Sequence, residues 1–270
     1  MKWDKLAAIL AVVMPITALA ADKGGERPSF LPLGEVAAQS VNWTGVYIGA
    51  HAGYGWSVWD GNMIYTDAHK HPNLEFDDAS KNINGEGVIA GGQIGFNVQS
   101  GNIVWGVEVD GSWSDISGSR TLLPFPDNPG SPAWKFESQI DWLATVRGRL
   151  GFTSGSVLVY GTAGAAFAEV DSRLSVFATG PQNAGHVANG AKNETRTGWT
   201  LGGGLEWMFA PNWSLKTEYL YVNLGEVGGI LPGTTTTGGG PARPHTTDGF
   251  SGDLDLHTVR VGVNYNFNGN

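Results

Sequence analysis

The sequence has no cysteine and few charged residues, and these absences exclude several classes of protein. Without cysteine the chain can form neither a disulfide framework nor a cysteine-ligated metal site. Only 15% of its 270 residues are charged, the formal net charge is −9 and no basic run occurs, so nothing in it attracts the phosphates of a nucleic acid. Beyond the N-terminus no segment reaches the roughly 18 apolar residues of a transmembrane helix. A membrane-embedded chain of this kind must be a closed barrel, because open sheet edges cannot face lipid.

The N-terminus has the features of a secretory signal peptide. Lys2 and Lys5 precede an apolar stretch at 6–19, and Ala18-Leu19-Ala20 is a small-x-small cleavage motif. The sequence therefore predicts a signal peptide at 1–20, a periplasmic arm or linker at 21–42, an outer-membrane barrel at 43–267 and a C-terminal tail at 268–270.

What the sequence does have is glycine (41 residues), tryptophan (11 residues) and strict period-two alternation from Trp43 onward. The last segment shows the alternation best. One face carries His257, Val259, Val261, Val263, Tyr265 and Phe267, and the other carries Thr258, Arg260, Gly262, Asn264 and Asn266. A strand of a membrane barrel needs an apolar face toward lipid, a polar face toward the lumen and aromatic residues at the membrane surface.

Eight segments repeat this pattern, at 44–57, 86–98, 103–115, 136–152, 156–169, 196–209, 213–225 and a last one ending at Phe267. Each has room for the about 9–11 residues with which a tilted strand crosses a bilayer. The connections between them alternate strictly: 99–102, 153–155 and 210–212 are short, whereas 58–85, 116–135, 170–195 and 226–252 are long. Short periplasmic turns and long extracellular loops are typical of outer-membrane barrels. The predicted fold is therefore all-β, an eight-stranded antiparallel up-and-down transmembrane β-barrel.

Three motifs resemble those of a known family: the opening strand at 42–55, the segment from Asn212 to Gly225, and the segment from His257 to Phe267. They are similar to the small outer-membrane β-barrel proteins of alphaproteobacteria, the "porin family", which are similar in fold to the OmpA transmembrane domain. The resemblance covers residues 43–267. It implies that the protein lies in the outer membrane of a Gram-negative cell and has a structural role in the envelope as a surface antigen. It also implies assembly by the barrel-assembly machinery, with the terminal aromatic Phe267 as the signal. Some members bind haem, and the resemblance implies no catalytic residue.

Charged residues recur on the faces assigned to the lumen: Glu108, Asp110, Asp141, Arg147, Arg149, Glu206, Lys216, Glu218 and Arg260. They could line a narrow conducting path. They could instead form a salt-bridged plug, because side chains can fill an eight-stranded barrel and buried charges require partners. The mixed signs do not indicate strong ion selectivity.

The first long loop contains Tyr65, His69 and His71, which could capture haem or a divalent metal ion at the surface, or could simply be solvated. The chain shows no nucleophile elbow, P-loop or zinc-ligand spacing, so we predict neither an enzyme nor a metal site. Three functions remain: a structural envelope protein in contact with outer-membrane lipid and lipopolysaccharide, a passive small-solute porin, or a surface binder of haem or another ligand. The sequence leaves the oligomeric state open.

Overall fold

The structure is a computed structural model that describes residues 41–67, 71–75, 83–122, 133–177, 187–230, 233–236, 243–245 and 248–267. The signal peptide and most of the arm predicted from the sequence lie outside these ranges, as does the tail. Eight long strands occupy most of the described residues: β1 (Gly45–Asp67), β2 (Ile83–Ser100), β3 (Ile103–Leu122), β4 (Ala133–Ser154), β5 (Val157–Phe177), β6 (Val187–Ala210), β7 (Trp213–Ile230) and β8 (Asp248–Asn266). Short strands form at His71–Glu75, Gly233–Thr236 and Arg243–His245.

The eight long strands close into a ring. Each pairs antiparallel with the next along the chain, and β1 pairs with both β2 and β8. Gly53, for example, lies opposite Ile89 on one side and Arg260 on the other. Within the described residues the structure has no helix long and apolar enough to cross a membrane. The prediction of an eight-stranded antiparallel up-and-down barrel is confirmed.

One end of the barrel carries the tight turns. Ser100 pairs with Ile103 and Ser154 with Val157, which leaves two-residue connections between the strands. Gly101 and Gly155 open these turns with φ of 60°, a left-handed conformation that glycine adopts without steric cost. The predicted short connections are therefore correct, and this end is the periplasmic one in barrels of this class.

At the other end the strands are much longer than predicted. Residues 58–67, 116–122, 170–177 and 226–230 were expected in loops, but they continue β1, β3, β5 and β7, and the partner strands lengthen to match. Strands of 18–24 residues rise about 3.3 Å per residue and exceed the about 9–11 residues needed to cross a bilayer. The barrel therefore extends well beyond the membrane on the side of the long connections.

The outer surface between these ends is apolar. Val107, Val146 and Leu201 are each at least half exposed, and many other aliphatic side chains point the same way. Aromatic residues lie at both borders of this band, with Trp105 and Trp207 near the short turns and Trp113 and Trp199 toward the extension. This is the surface that a transmembrane barrel presents to lipid.

The interior is packed in three layers. Next to the short turns lies a small apolar cluster, formed by Trp43, Val104, Leu158, Tyr160 and Met208. Charged side chains follow it along the barrel axis. Beyond them lies a larger apolar cluster that continues into the extension, formed by Trp59, Ile89, Ile116, Phe136, Ile140, Leu143, Ala166, Ala168, Val170, Leu220, Val222, Leu224, Leu254 and Leu256.

Candidate functional site: the charged layer inside the barrel

Period-two alternation brings eight charged side chains from five strands into one layer. They are Glu108 and Asp110 on β3, Arg147 and Arg149 on β4, Glu206 on β6, Lys216 and Glu218 on β7, and Arg260 on β8. Each is buried, and the four cations balance the four carboxylates. A buried charge is tolerated only when it is paired, and the layer as a whole carries no net charge.

Arg147 is the centre of this layer. Its guanidinium forms ion pairs with Glu108 at 2.5 Å, with Asp110 at 2.8 Å and with Glu218 at 3.0 Å. Arg260 contacts the second oxygens of two of these carboxylates, Asp110 at 2.7 Å and Glu218. Two arginines thus share two carboxylates, and such multiple charge-assisted hydrogen bonds hold planar groups in a single arrangement.

Arg149 occupies the side of the layer nearest the short turns. It pairs with Glu206 at 2.8 Å and donates to the Tyr47 hydroxyl at 2.9 Å. Its Cζ lies 4.0 Å from the centre of the Tyr160 ring, which is cation–π geometry. Tyr47 donates onward to Glu108 at 2.7 Å, and Tyr160 donates to Glu218 at 2.9 Å. Sequence reasoning did not select these tyrosines, although Tyr47 has the parity of the lumen face.

Lys216 completes the layer, with its ammonium 2.9 Å from Glu108 Oε2. Glu108 therefore accepts from Tyr47, Arg147 and Lys216, three residues on three strands. Thr145 also donates to Asp110. Every carboxylate in the layer has at least one cationic partner, so side chains rather than solvent neutralise the charge.

A chain of neutral polar side chains extends from the charged layer toward β1 and β2. Asn264 donates to Glu206 at 2.7 Å and accepts from the Gln93 amide at 2.6 Å. The Gln93 carbonyl oxygen can only accept and lies 2.5 Å from His51 Nδ1, so this nitrogen carries a proton, and Nε2 lies 2.7 Å from the Ser112 hydroxyl. Ser112, His51 and Gln93 thus resemble the hydrogen-bond order of a nucleophilic triad, but all three are buried within the packed interior.

Asp141 does not join the layer, and its assignment to the lumen cluster was wrong. In β4, Ile140 pairs with Val170 and Trp142 with Glu169, so Asp141 is an extra residue in a β-bulge. The extra residue shifts the alternation by one position, and Ile140 and Leu143 are the buried residues on either side. Asp141 itself is half-buried. Simple parity counted back from Arg149 could not detect the insertion.

Two of the three residues predicted as a ligand loop, Tyr65 and His71, lie in strands. The backbone of Tyr65 lies in β1, opposite Asp248 and Leu74, and His71 begins the short strand that pairs with β1. His69 lies outside the described residues. In the part of the chain that the structure describes, no group of three or more His, Asp or Glu side chains could hold a metal ion.

Phe267 follows β8 at the end with the short turns. Its amide donates to the Val46 carbonyl at 3.0 Å, and its ring meets Tyr265 edge-to-face with centroids 5.2 Å apart. The side chain is exposed on the outer wall. Its position is that of the terminal aromatic of a barrel strand, and its role as an assembly signal stays a prediction.

A closed ring of eight antiparallel strands, with an apolar, aromatic-bordered exterior and a charged interior, defines a transmembrane β-barrel protein of the bacterial outer membrane. A family model described as "Outer membrane protein beta-barrel domain" matches residues 29–267, and the chain belongs to this family.

Similar proteins extend over almost the whole chain. The "31 kDa outer-membrane immunogenic protein" of Brucella melitensis is 32% identical over 96% of this chain and 98% of its own. The "25 kDa outer-membrane immunogenic protein" of Brucella abortus is 28% identical over 97% of both. Among solved structures, Neisserial surface protein A is similar with 14% identity and a TM-score of 0.37, over 83% of this chain and 98% of that one. The predicted family and outer-membrane location are confirmed.

Proposed function

We propose that the protein is a closed, non-conducting barrel that serves as a structural element of the cell envelope. The observation that supports this most directly is the neutral charged layer, enclosed between two apolar layers. The four cations and four carboxylates pair with one another, so the layer has no net charge with which to attract an ion.

The apolar layers argue against the alternative of a passive porin. An ion that passed along the axis would have to displace side chains such as Leu143, Leu220 and Leu256, which are at most 1% exposed. Transfer of an unpaired charge into such surroundings is strongly unfavourable. A conducting barrel of this class has a polar, water-filled interior, and an apolar constriction instead closes a pore by dewetting.

A catalytic role receives no support from the site. The Ser112–His51–Gln93 chain is enclosed by the barrel wall and its packed interior, whereas a nucleophilic serine must be accessible to substrate. The similar Brucella proteins are named for their outer-membrane location and immunogenicity. We extend this to the present chain and propose that its extension beyond the membrane is exposed to the exterior as an antigen. Haem capture by Tyr65, His69 and His71 stays a prediction from the sequence.

Single-channel recording tests the proposal. The purified protein is added to a planar bilayer, and its folding is verified by the heat-dependent shift in gel mobility that folded barrels show. We expect no stable current steps under conditions in which a general porin conducts. Reproducible steps from the folded protein would overturn the proposal and favour the porin alternative.

Cysteine labelling tests surface exposure, because the natural chain has no cysteine. Ser119→Cys lies on the outer wall of the extension and Val107→Cys within the lipid-facing band, and both side chains are exposed in the structure. A membrane-impermeant maleimide applied to intact cells should label position 119 and spare position 107. Equal labelling of the two, or no labelling of position 119, would contradict the proposed exposure.

A further inference from the structure

The outer wall of the extension contains a polar cavity of about 300 Å3, on β3, β4 and β5. Two rows of cross-strand neighbours line it. Ser117, Gln139 and Asp171 form the row nearer the membrane, and Ser119, Glu137 and Arg173 form the next. The interior residues of the same strands, such as Ile116 and Val170, are buried on the opposite face of the sheet.

Local sequence explains why a depression forms here. The register slips between Trp113 and Ile116 on β3, and the bulge at Asp141 interrupts β4 at the same level. Bulges bend and twist a sheet. Above them β3 contributes only the short side chains of Ser117 and Ser119, while β4 and β5 contribute long ones. The floor of the cavity is thus formed by serines of β3, and longer polar side chains of β4 and β5 border it.

The charges around the cavity neutralise each other. Asp171 pairs with Arg173 at 2.9 Å, and Lys135 pairs with Glu137 at 2.7 Å. A phosphate would require a surplus of cations and a metal ion a surplus of carboxylates, and the cavity has neither. It offers donors and acceptors in alternation, from hydroxyl, amide, carboxylate and guanidinium groups. A neutral ligand with many hydroxyl groups matches this set.

Two tryptophans lie between the cavity and the lipid-facing band. Trp113 and Trp142 are directly opposed across β3 and β4, and Trp142 donates its indole N–H to Glu169 at 2.5 Å. Indoles favour the border between hydrocarbon and head groups, where one edge is apolar and the other polar. Trp113 is 59% exposed, so its ring is accessible to the non-polar face of a ring-shaped ligand.

We propose that this cavity, with the tryptophan pair below it, binds the sugar head group of a glycolipid in the outer leaflet. The cavity begins where the apolar band ends, at the height at which such a lipid presents its sugars. The neutral, hydroxyl-matching lining recognises the sugar hydroxyls, the indoles contact the C–H faces of the sugar next to the membrane, and the acyl chains lie against the apolar wall. This proposal does not depend on whether the barrel conducts.

The test measures binding of two probes to the full-length protein, purified from outer membranes in detergent. The probes are a neutral glycolipid, diglucosyl diacylglycerol, and its lipid-free sugar, titrated by calorimetry in a detergent that has no sugar head group. The site variant is Trp113→Ala/Gln139→Ala. The matched control is Trp199→Ala/Asn223→Ala, a tryptophan and an amide that are also cross-strand neighbours, on the wall formed by β6 and β7. Folding of each is verified by the heat-dependent gel shift, and the cavity-filling Ser117→Phe is a second, independent variant.

We expect the site variant and Ser117→Phe to weaken binding of the neutral glycolipid by about tenfold, the size of a lost aromatic contact, with the control unchanged. The lipid-free sugar should bind less tightly than the glycolipid. The proposal is overturned if the site variants bind as the wild type does, or if the control loses as much affinity, which would indicate a general effect of interfacial aromatics. Equal affinity for both probes would overturn the membrane source in favour of a soluble sugar.

Discussion

The membrane-embedded part of the barrel and its extension have opposite polarity, although the same strands run through both. On β7 the inward residues are Lys216 and Glu218 in the membrane and then Leu220 and Val222 farther out, while the outward residues change from Leu215 to Asn223. On β3 the inward Glu108 gives way to Ile116, and the outward Val107 to Ser117. Alternation continues, but the apolar residues change face.

The difference follows from the two solvents. In water, apolar side chains gain free energy by leaving the solvent, so the extension has an apolar interior like that of a soluble barrel. Lipid tails are as apolar as leucine, so no such driving force acts in the membrane, and the interior there can be a network of paired charges. The level at which polarity reverses, between Trp113 and Ser117 on β3, therefore marks the membrane border.

The largest effect is expected from the charged layer. Arg147→Ala removes the cation shared by Glu108, Asp110 and Glu218, and leaves buried carboxylates undercompensated. We expect the free energy of unfolding to fall by about 3–5 kcal/mol, as it does when one partner of a buried ion pair is lost. Urea unfolding in detergent micelles measures it. Val146→Ala, the outward neighbour, should cost much less; similar losses at both positions would mean that the network contributes little.

The apolar layer should show a comparable but slightly smaller effect. Leu220→Ala creates a cavity in a fully buried position and should cost about 2–5 kcal/mol. Leu201→Ala is a control with the same chemistry at a position 55% exposed toward lipid. The same unfolding experiment compares the two. If Leu201→Ala destabilises the barrel as strongly as Leu220→Ala, the extension does not have the core of a soluble barrel.

Two lysine substitutions on the outer wall test where the polarity of this wall changes from apolar to polar. Val107→Lys places a charge in the lipid-facing band and should cost about 2–4 kcal/mol near the bilayer centre. Ser117→Lys lies on the water side of the membrane border and should leave stability almost unchanged. Unfolding in lipid vesicles is the measurement, because micelles do not reproduce bilayer thickness. A large cost at position 117 would move the membrane border outward.

The smallest effect concerns the border itself. Trp142→Phe removes the indole N–H that donates to Glu169 and keeps most of the ring. A partly exposed hydrogen bond of this kind contributes about 0.5–1.5 kcal/mol. Trp113→Phe is the control, because it leaves the bond between Trp142 and Glu169 intact. In vesicle unfolding, Trp142→Phe should lower the free energy of unfolding more than Trp113→Phe does. The reverse order would show that this hydrogen bond does not stabilise the barrel at the membrane border.

Much of the barrel could be predicted from residue parity. The alternation around Arg260 and around Glu108 identified the lumen face, and the short turns at Gly101 and Gly155 gave the strand order. The outward apolar pattern did not predict the extension, because beyond the membrane border the apolar residues of the same strands face inward. Asp141 was misplaced because one extra residue in a bulge leaves no mark in the local pattern.

The sequence by itself determined which residues share a face, because a strand turns its side chains over at every position whatever its neighbours are. It therefore determined that the barrel has a charged lumen and an apolar wall. Only the tertiary structure decided which charges meet. Tyr47 and Arg149 are separated by 102 positions, and Asp110 and Arg260 by 150, and both pairs depend on the register with which the ring closes. The same closure enclosed the charged layer between two apolar clusters, because residues from strands distant in sequence complete each layer only when β8 pairs with β1.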